Sequence, residues 1–217
     1  DFMGNVTNYS YDNLGRVTET VAPMSDSENM KTQTFYNAAG DKAKDRVYTS
    51  ATEFRDTDYT YDNRHRVTTV TSDGVSYTKY FYDSLGNVSK TVTGMTAADL
   101  DAGESEYSDS CAVTSYTYAP YINSVSSVTN PDGTTHNYSY NYLGMLTDES
   151  WTKNGNTSGE ISYNYDGFGQ LVSKTAGNKA ETFKYDLLGN VVESNGENGK
   201  TNYSYDDLGR LKTEKTD

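Results

Sequence analysis

The chain has 217 residues, with 31 Asp and Glu set against 18 Lys and Arg for a net charge of −13. That balance excludes polyanionic partners such as nucleic acid and acidic membrane surfaces. Only 34% of the residues are hydrophobic, yet 21 are tyrosines, so aromatic rings with polar tips stand in for the aliphatic side chains of an ordinary core.

The first predicted element is Tyr9-Ser10-Tyr11-Asp12-Asn13-Leu14-Gly15-Arg16-Val17. Tyr9 and Tyr11 lie two apart and share one face of a strand. Asp12 opens a type I turn by hydrogen-bonding ahead of itself, and Gly15 closes it at positive φ. This is a frequent short hairpin connection. The following segment, Val17-Thr18-Glu19-Thr20, is rich in β-branched residues and returns as the second strand. Tyr11 and Val17 should meet across the pair.

The same phrase then recurs along the chain. Full copies run over residues 80–88, 163–171, 183–191 and 203–211, and weaker ones over residues 35–40, 59–65, 116–118 and 138–144. The second aromatic falls at 11, 36, 61, 82, 118, 140, 165, 185 and 205, in steps of 20 to 36 residues. A period of this size marks a repeat architecture. The residues carrying the repeat are Tyr11, Asp12 and Gly15; Tyr82, Asp83 and Gly86; Tyr165, Asp166 and Gly169; Tyr185, Asp186 and Gly189; and Tyr205, Asp206 and Gly209. In the third unit His65 replaces the turn glycine, as a residue that tolerates positive φ.

A looser turn closes the other end of each unit. It contains Asp73-Gly74, Pro131-Asp132-Gly133, Ala176-Gly177-Asn178 or Asn195-Gly196-Glu197, all reversal signals. Asp1-Phe2-Met3-Gly4 stands at the same place, so the chain reads as a slice of a larger protein that starts inside one repeat and ends inside another. A single hairpin is marginal alone. Neighbouring hairpins must therefore pair into a continuing antiparallel ribbon, and strand twist prevents such a ribbon from staying flat.

Two segments interrupt the pattern. Residues 22–31 contain Pro23 and Met24 in a polar setting. The irregular insert within residues 94–112 is expected to hold a helical turn capped by Thr96, running to Asp101 and ended by Gly103. Asp99, Asp101, Glu104 and Glu106 cluster there, but an EF-hand numbered from Asp99 would need glycine where Glu104 stands and glutamate where Ser110 stands. The most degenerate repeat is Tyr118-Ala119-Pro120-Tyr121-Ile122, which has lost both turn Asp and turn Gly, with Pro120 expected to shape the turn.

Chemistry has little purchase on this sequence. His65 and His136 are not spaced for a metal site, and Cys111 has no adjacent histidine to activate it. The acids Asp12, Asp62, Asp83, Asp166, Asp186 and Asp206 all occupy one turn slot. A residue needed once for acid–base work has no reason to recur in each unit, whereas a turn residue does. No catalytic, metal or cofactor residue is assigned, and the reading is that of a non-enzyme.

The units Tyr11-Asp12-Asn13-Leu14-Gly15-Arg16-Val17 and Tyr205-Asp206-Asp207-Leu208-Gly209-Arg210-Leu211 resemble the YD repeat of the Rhs family. That family takes in bacterial Rhs polymorphic toxins, wall-associated YD-repeat proteins, the BC components of toxin complexes, and teneurins. The resemblance implies an all-β fold, an elongated, curved or spiralling antiparallel sheet of tandem YD-repeat β-hairpins across residues 1–217. It further implies a structural segment of a secreted or cell-surface protein, bacterial in origin, forming part of a β-shell that encloses or displays another polypeptide. The alternative is an adhesion module binding carbohydrate or a cell-surface protein. Implied partners are the adjacent repeats and an enclosed C-terminal polypeptide of the same protein, or a glycan or surface protein. Neither nucleic acid nor membrane insertion is implied. Arg16, Arg66 and Arg210 match the basic position after the glycine, while Asp41, Asn87, Met145, Gln170 and Asn190 depart from it. No Asp-Pro-x-Gly-Leu segment or cargo domain is found, so a stretch of shell is expected and not a toxin activity.

Overall fold

The computed structural model describes residues 6–23, 29–103 and 106–217. The turn expected at residues 1–4, together with Met24 and Glu104, lies outside the described residues. Among those described, the regular structure is eighteen strands and one short 3-10 turn. The backbone divides into two compact units, Asp1–Thr114 and Ser115–Asp217.

In the first unit, β1 (Asn8–Tyr11), β2 (Val17–Pro23), β3 (Asn29–Tyr36), β4 (Lys42–Tyr48), β5 (Phe54–Tyr61), β6 (Val67–Ser72), β7 (Ser76–Tyr82) and β8 (Val88–Met95) each pair antiparallel with the next. The second unit continues the pattern. Its strands are β9 (Ala112–Tyr118), which begins just ahead of the unit boundary, β10 (Val125–Thr129), β11 (Thr134–Tyr140), β12 (Leu146–Lys153), β13 (Asn156–Tyr165), β14 (Leu171–Ala176), β15 (Lys179–Tyr185), β16 (Val191–Gly196), β17 (Gly199–Tyr205) and β18 (Leu211–Thr216). These too pair antiparallel in sequence order. Within each unit the YD turns join odd strands to even ones, so they lie at one end of the strands and the looser turns at the other. The all-β hairpin-repeat fold expected from the sequence is the fold observed.

The hairpin turn follows from the residues that make it. Gly15 N–H donates to Asp12 C=O at 3.0 Å, and Asp12 N–H donates to Arg16 C=O at 2.9 Å. Gly15 sits at φ +77°, and His65 takes the same place at φ +60°. Tyr11 then faces Val17, as expected, but through a register shift, because Ser10 faces Glu19. One residue of the outgoing strand is therefore left over. The shift returns in each strand pair joined by a YD turn, for example between Thr60 and Tyr61, Asn164 and Tyr165, and Ser204 and Tyr205. Such a bulge bends the strand and sharpens its local right-handed twist.

Three turns differ from expectation. The reversal placed at Asn195-Gly196-Glu197 falls later: Gly196 pairs with Gly199 across a two-residue loop, and the positive φ of +96° belongs to Gly199. In the degenerate hairpin Asn123, at φ +52°, takes the left-handed position. Its N–H reaches Ala119 C=O at 3.0 Å and Ala119 N–H reaches Ser124 C=O at 2.8 Å, so this loop is one residue longer than the others. In the insert the 3-10 turn covers only Ala97–Asp99, shorter than the turn to Asp101. The Asp99 carboxylate explains the early stop. It accepts from Thr96 N–H (2.7 Å) and Oγ1 (2.6 Å), and from Ser108 N–H (2.8 Å) and Oγ (3.0 Å), which folds the insert back on itself.

Very little of this chain is deeply buried. Among the described residues the fully enclosed apolar side chains are Val92 and Met95, with Asp99 the one buried polar residue. All three lie where the insert meets β8. Elsewhere polar cross-strand rows do the joining. In the first unit Gln33 Nε2 donates to Glu19 (2.9 Å), Tyr48 OH donates to Gln33 Oε1 (2.9 Å), and the Arg46 guanidinium grips Asp56 at 2.7 and 2.8 Å. Arg46 also lies 3.6 Å from the centre of the Phe54 ring. In the second unit Trp151 lies against the bare Cα of Gly159, its partner on β13.

Candidate functional site

The repeat residues converge on one structural task, joining each hairpin to the one before it. The second tyrosine of a unit donates its hydroxyl to the backbone carbonyl that opens the returning strand of the previous unit. Tyr36 reaches Val17 at 3.0 Å, Tyr61 reaches Lys42 at 2.8 Å and Tyr82 reaches Val67 at 2.7 Å. In the second unit Tyr140 reaches Val125 at 2.7 Å, and Tyr165, Tyr185 and Tyr205 reach Leu146, Leu171 and Val191 at 2.8 Å each. Burial raises the phenol pKa of Tyr82, Tyr140 and Tyr185 above 10, as expected for a hydroxyl held in a bond and away from water. Tyr11 heads the series and is 60% exposed.

The aspartate slot holds the turn itself. Asp12 Oδ1 accepts from Leu14 and Arg16 N–H at 2.9 Å each. Asp166 accepts from Phe168 N–H (2.8 Å) and Gln170 N–H (3.0 Å), and Asp206 from Leu208 N–H (3.0 Å) and Arg210 N–H (2.9 Å). Asp83 and Asp186 also take the side-chain amides of Asn87 and Asn190, at 3.1 and 2.9 Å. The Arg66 guanidinium lowers the carboxyl of Asp62 to about 2. The carboxyl of Asp186 is lowered first by the Asn190 amide, and that of Asp206 first by the Arg210 N–H. Each of these acids is spent on its own loop. Among the described residues no group of His, Cys, Asp and Glu has the arrangement of a metal centre.

The position after the glycine makes a second link between units. Arg16 stacks 4.1 Å from the centre of the Tyr36 ring and donates to Gly40 C=O at 3.2 Å. Arg66 repeats the stack on Tyr82 at 4.2 Å. Where the residue is not arginine the position still faces the next turn. A Cβ on Gly169 would meet Met145 Sδ at 3.4 Å, and one on Gly189 would meet Gln170 Nε2 at 3.2 Å. Asp41 occupies this place in the second repeat, and the turn it faces is the one that carries His65, whose Nδ1 lies 2.9 Å from the Asp41 carboxylate. His65 is thus a turn residue that also pairs with its neighbouring repeat.

The tyrosine hydroxyl bond, the post-glycine contact and the bulge were not read from the sequence. The first had a readable sign. The second aromatic is tyrosine in all nine units, whereas the first is Phe183 in one unit and Thr34 in another. A position needing only a ring would admit phenylalanine.

A meander of hairpins bound in series by tyrosine, aspartate and glycine defines a YD-repeat β-sheet protein. Residues 105–217 match the teneurin YD-shell family, and the chain belongs to that family. No curated protein matches the sequence. Among solved structures, the chain is similar to the TcdB2-TccC3-TEV crystal structure at 16% identity and TM-score 0.76, covering 97% of this chain and 11% of that one. The crystal structure of TcdB2-TccC3 without its hypervariable C-terminal region is similar at 14% identity and TM-score 0.57, covering 94% and 12%. The Photorhabdus luminescens Tc holotoxin pore is similar at 16% identity and TM-score 0.55, covering 94% and 12%. The chain spans about a tenth of the length of these solved chains, and the likeness is one of fold.

Proposed function

We infer that the chain is a length of shell wall, a non-enzymatic structural segment of a secreted or cell-surface protein that encloses or displays another polypeptide of the same protein. The observation that carries this reading is where the repeat residues go. The tyrosine hydroxyls are consumed in joining hairpin to hairpin and the turn carboxylates in closing their own loops, and among the described residues two apolar side chains alone are fully enclosed. A sheet built this way extends by addition and keeps broad faces uncovered, which suits a wall. One similar TcdB2-TccC3 structure is described as lacking a hypervariable C-terminal region, and a polypeptide in that position is the occupant this reading assigns. The partners are then intramolecular, the neighbouring repeats and the enclosed segment.

The test is limited proteolysis of the longer protein that contains these repeats. The polypeptide following the shell should resist protease while the repeats are folded and become cleavable once denaturant opens them. Equal cleavage before and after unfolding would remove enclosure and leave display or adhesion.

A further inference from the structure

The hairpin that abandons the repeat grammar builds an uncharged cleft at the second unit's turn edge. We propose that this cleft binds an uncharged, proline-rich peptide segment in the polyproline II conformation. The space is about 500 Å3, within the range of about 300–1,000 Å3 usual for ligand pockets. Tyr118, Tyr121, Ile122, Tyr138, Asn141 and Tyr142 line it, and no charged side chain does. The equivalent space in the first hairpins is lined by Asp12, Arg16 and Glu19. The difference arises because Ala119 stands in the slot that holds Asp12, and the longer loop pushes Tyr121 outward to 97% exposure beside Tyr142 at 91%.

The choice of ligand follows from which hydrogen-bonding groups are spent. Asn141 Oδ1 already accepts from Leu143 and Met145 N–H at 3.0 Å each. Its Nδ2 has no acceptor among the described residues. At the matching position of the second repeat, in the first unit, Asn37 Nδ2 donates to Asp41 at 3.3 Å, but here Met145 replaces that acid. The hydroxyls of Tyr121 and Tyr142 likewise have no partner among the described residues. The cleft therefore offers aromatic faces and surplus donors, with its amide acceptor saturated. A proline segment is the complementary polypeptide: it presents flat apolar rings and backbone carbonyls, and it brings no N–H that needs an acceptor. Aromatic-lined grooves recognise such segments because the extended conformation is formed before binding. The chain has 3 prolines and no run of them, so the occupant is a different polypeptide segment. This site is independent of the enclosure reading.

The experiment is an NMR titration of the 15N-labelled 217-residue chain with octaproline blocked at both termini. Saturable shifts are expected at residues 118–126 and 138–142. Asn141→Asp restores the residue commonest at this slot, so it keeps the turn while removing the donor and adding a charge; it should weaken binding at least ten-fold with no loss of thermal stability. Tyr121→Ala should do the same, and Phe168→Ala, on another hairpin, should leave affinity unchanged. No shifts at millimolar octaproline would overturn the proposal, as would unaltered affinity in both cleft variants. Shifts produced by cellohexaose in place of octaproline would also overturn it and make the cleft a saccharide site.

Discussion

Replacing Tyr185 by Phe isolates the bond on which the repeat depends. The ring stays, so packing is retained, and only the hydroxyl that reaches Leu171 C=O at 2.8 Å is lost. A hydrogen bond of this kind contributes a net ~1 kcal/mol. With a urea dependence of about 2 kcal/mol/M, the unfolding midpoint should fall by about 0.5 M. The same change at Tyr140, Tyr165 and Tyr205 removes equivalent bonds to Val125, Leu146 and Val191. If the four sites act independently the combined loss is about 4 kcal/mol, a large part of the stability of a small domain. Trp151, the one tryptophan of the chain, lies in the second unit and reports its unfolding by fluorescence. Tyr121→Phe is the control, since that ring is 97% exposed. If Tyr185→Phe and Tyr121→Phe unfold at the wild-type midpoint, the hydroxyl bond is not what joins the hairpins.

Gly189→Val should destabilise the fold by about 1–3 kcal/mol, because Gly189 sits at φ +88° and an added Cβ would lie 3.2 Å from Gln170 Nε2; Asn178→Ala in a looser turn should change the denaturant midpoint far less. Gly159→Ala sets a methyl against the Trp151 indole, and an overpacking cost of about 1–3 kcal/mol should appear together with a shift in tryptophan emission. The half-buried hydroxyls of Tyr82, Tyr140 and Tyr185 have folded pKa values above the unfolded value of 10, so their contribution is complete below pH 10 and is lost as pH rises beyond it; thermal melts between pH 9 and pH 11.5 should show midpoints falling only in the upper part of that range. The turn acids behave in the opposite sense. The carboxyls of Asp62, Asp186 and Asp206 are lowered, that of Asp62 to about 2, so their contribution is present above the unfolded value of 3.8 and disappears as pH falls toward 2, which a melting series from pH 5 to pH 2 measures.

How much of this was legible depends on the range of the interaction. Turn chemistry is local: Asp12 and Gly15 announce their hairpin because the bonds involved close within five residues. The strands follow from Thr, Val and Tyr between those turns, and the strand order follows because hairpins in series can pair only with their neighbours. The bulge in the strand that leaves each YD turn, at Thr18 in the first hairpin, was not legible, since no residue type marks the extra position. Nor was the reach of the Tyr185 hydroxyl to Leu171, a contact across 14 residues whose only sign was the refusal of phenylalanine at that slot. Gly196 misled for a related reason. Two glycines, Gly196 and Gly199, bracket the same loop, and which of them takes positive φ is decided by their pairing with each other.

The low aliphatic content and the high tyrosine content have one cause. Apolar burial depends on a second layer to cover the first, and among the described residues such coverage is complete only at Val92 and Met95, beneath the insert. Elsewhere a side chain must serve its own sheet while staying half in water. Tyrosine does so by laying its ring over the neighbouring hairpin and sending its hydroxyl to a backbone carbonyl, and valine or leucine in its place would supply only the first of these. The couplings then run between nearest neighbours, as Arg16 to Gly40, Asp41 to His65 and Tyr185 to Leu171 illustrate. Stability in such an array is a sum of unit and interface terms, so repeats can be added without redesigning those already present. The irregular parts break that additivity. Asp99 locks the insert to itself, and the loop at residues 119–124 exchanges the turn aspartate for a neutral aromatic cleft, so these are the two places where the chain has something to specify besides the next hairpin.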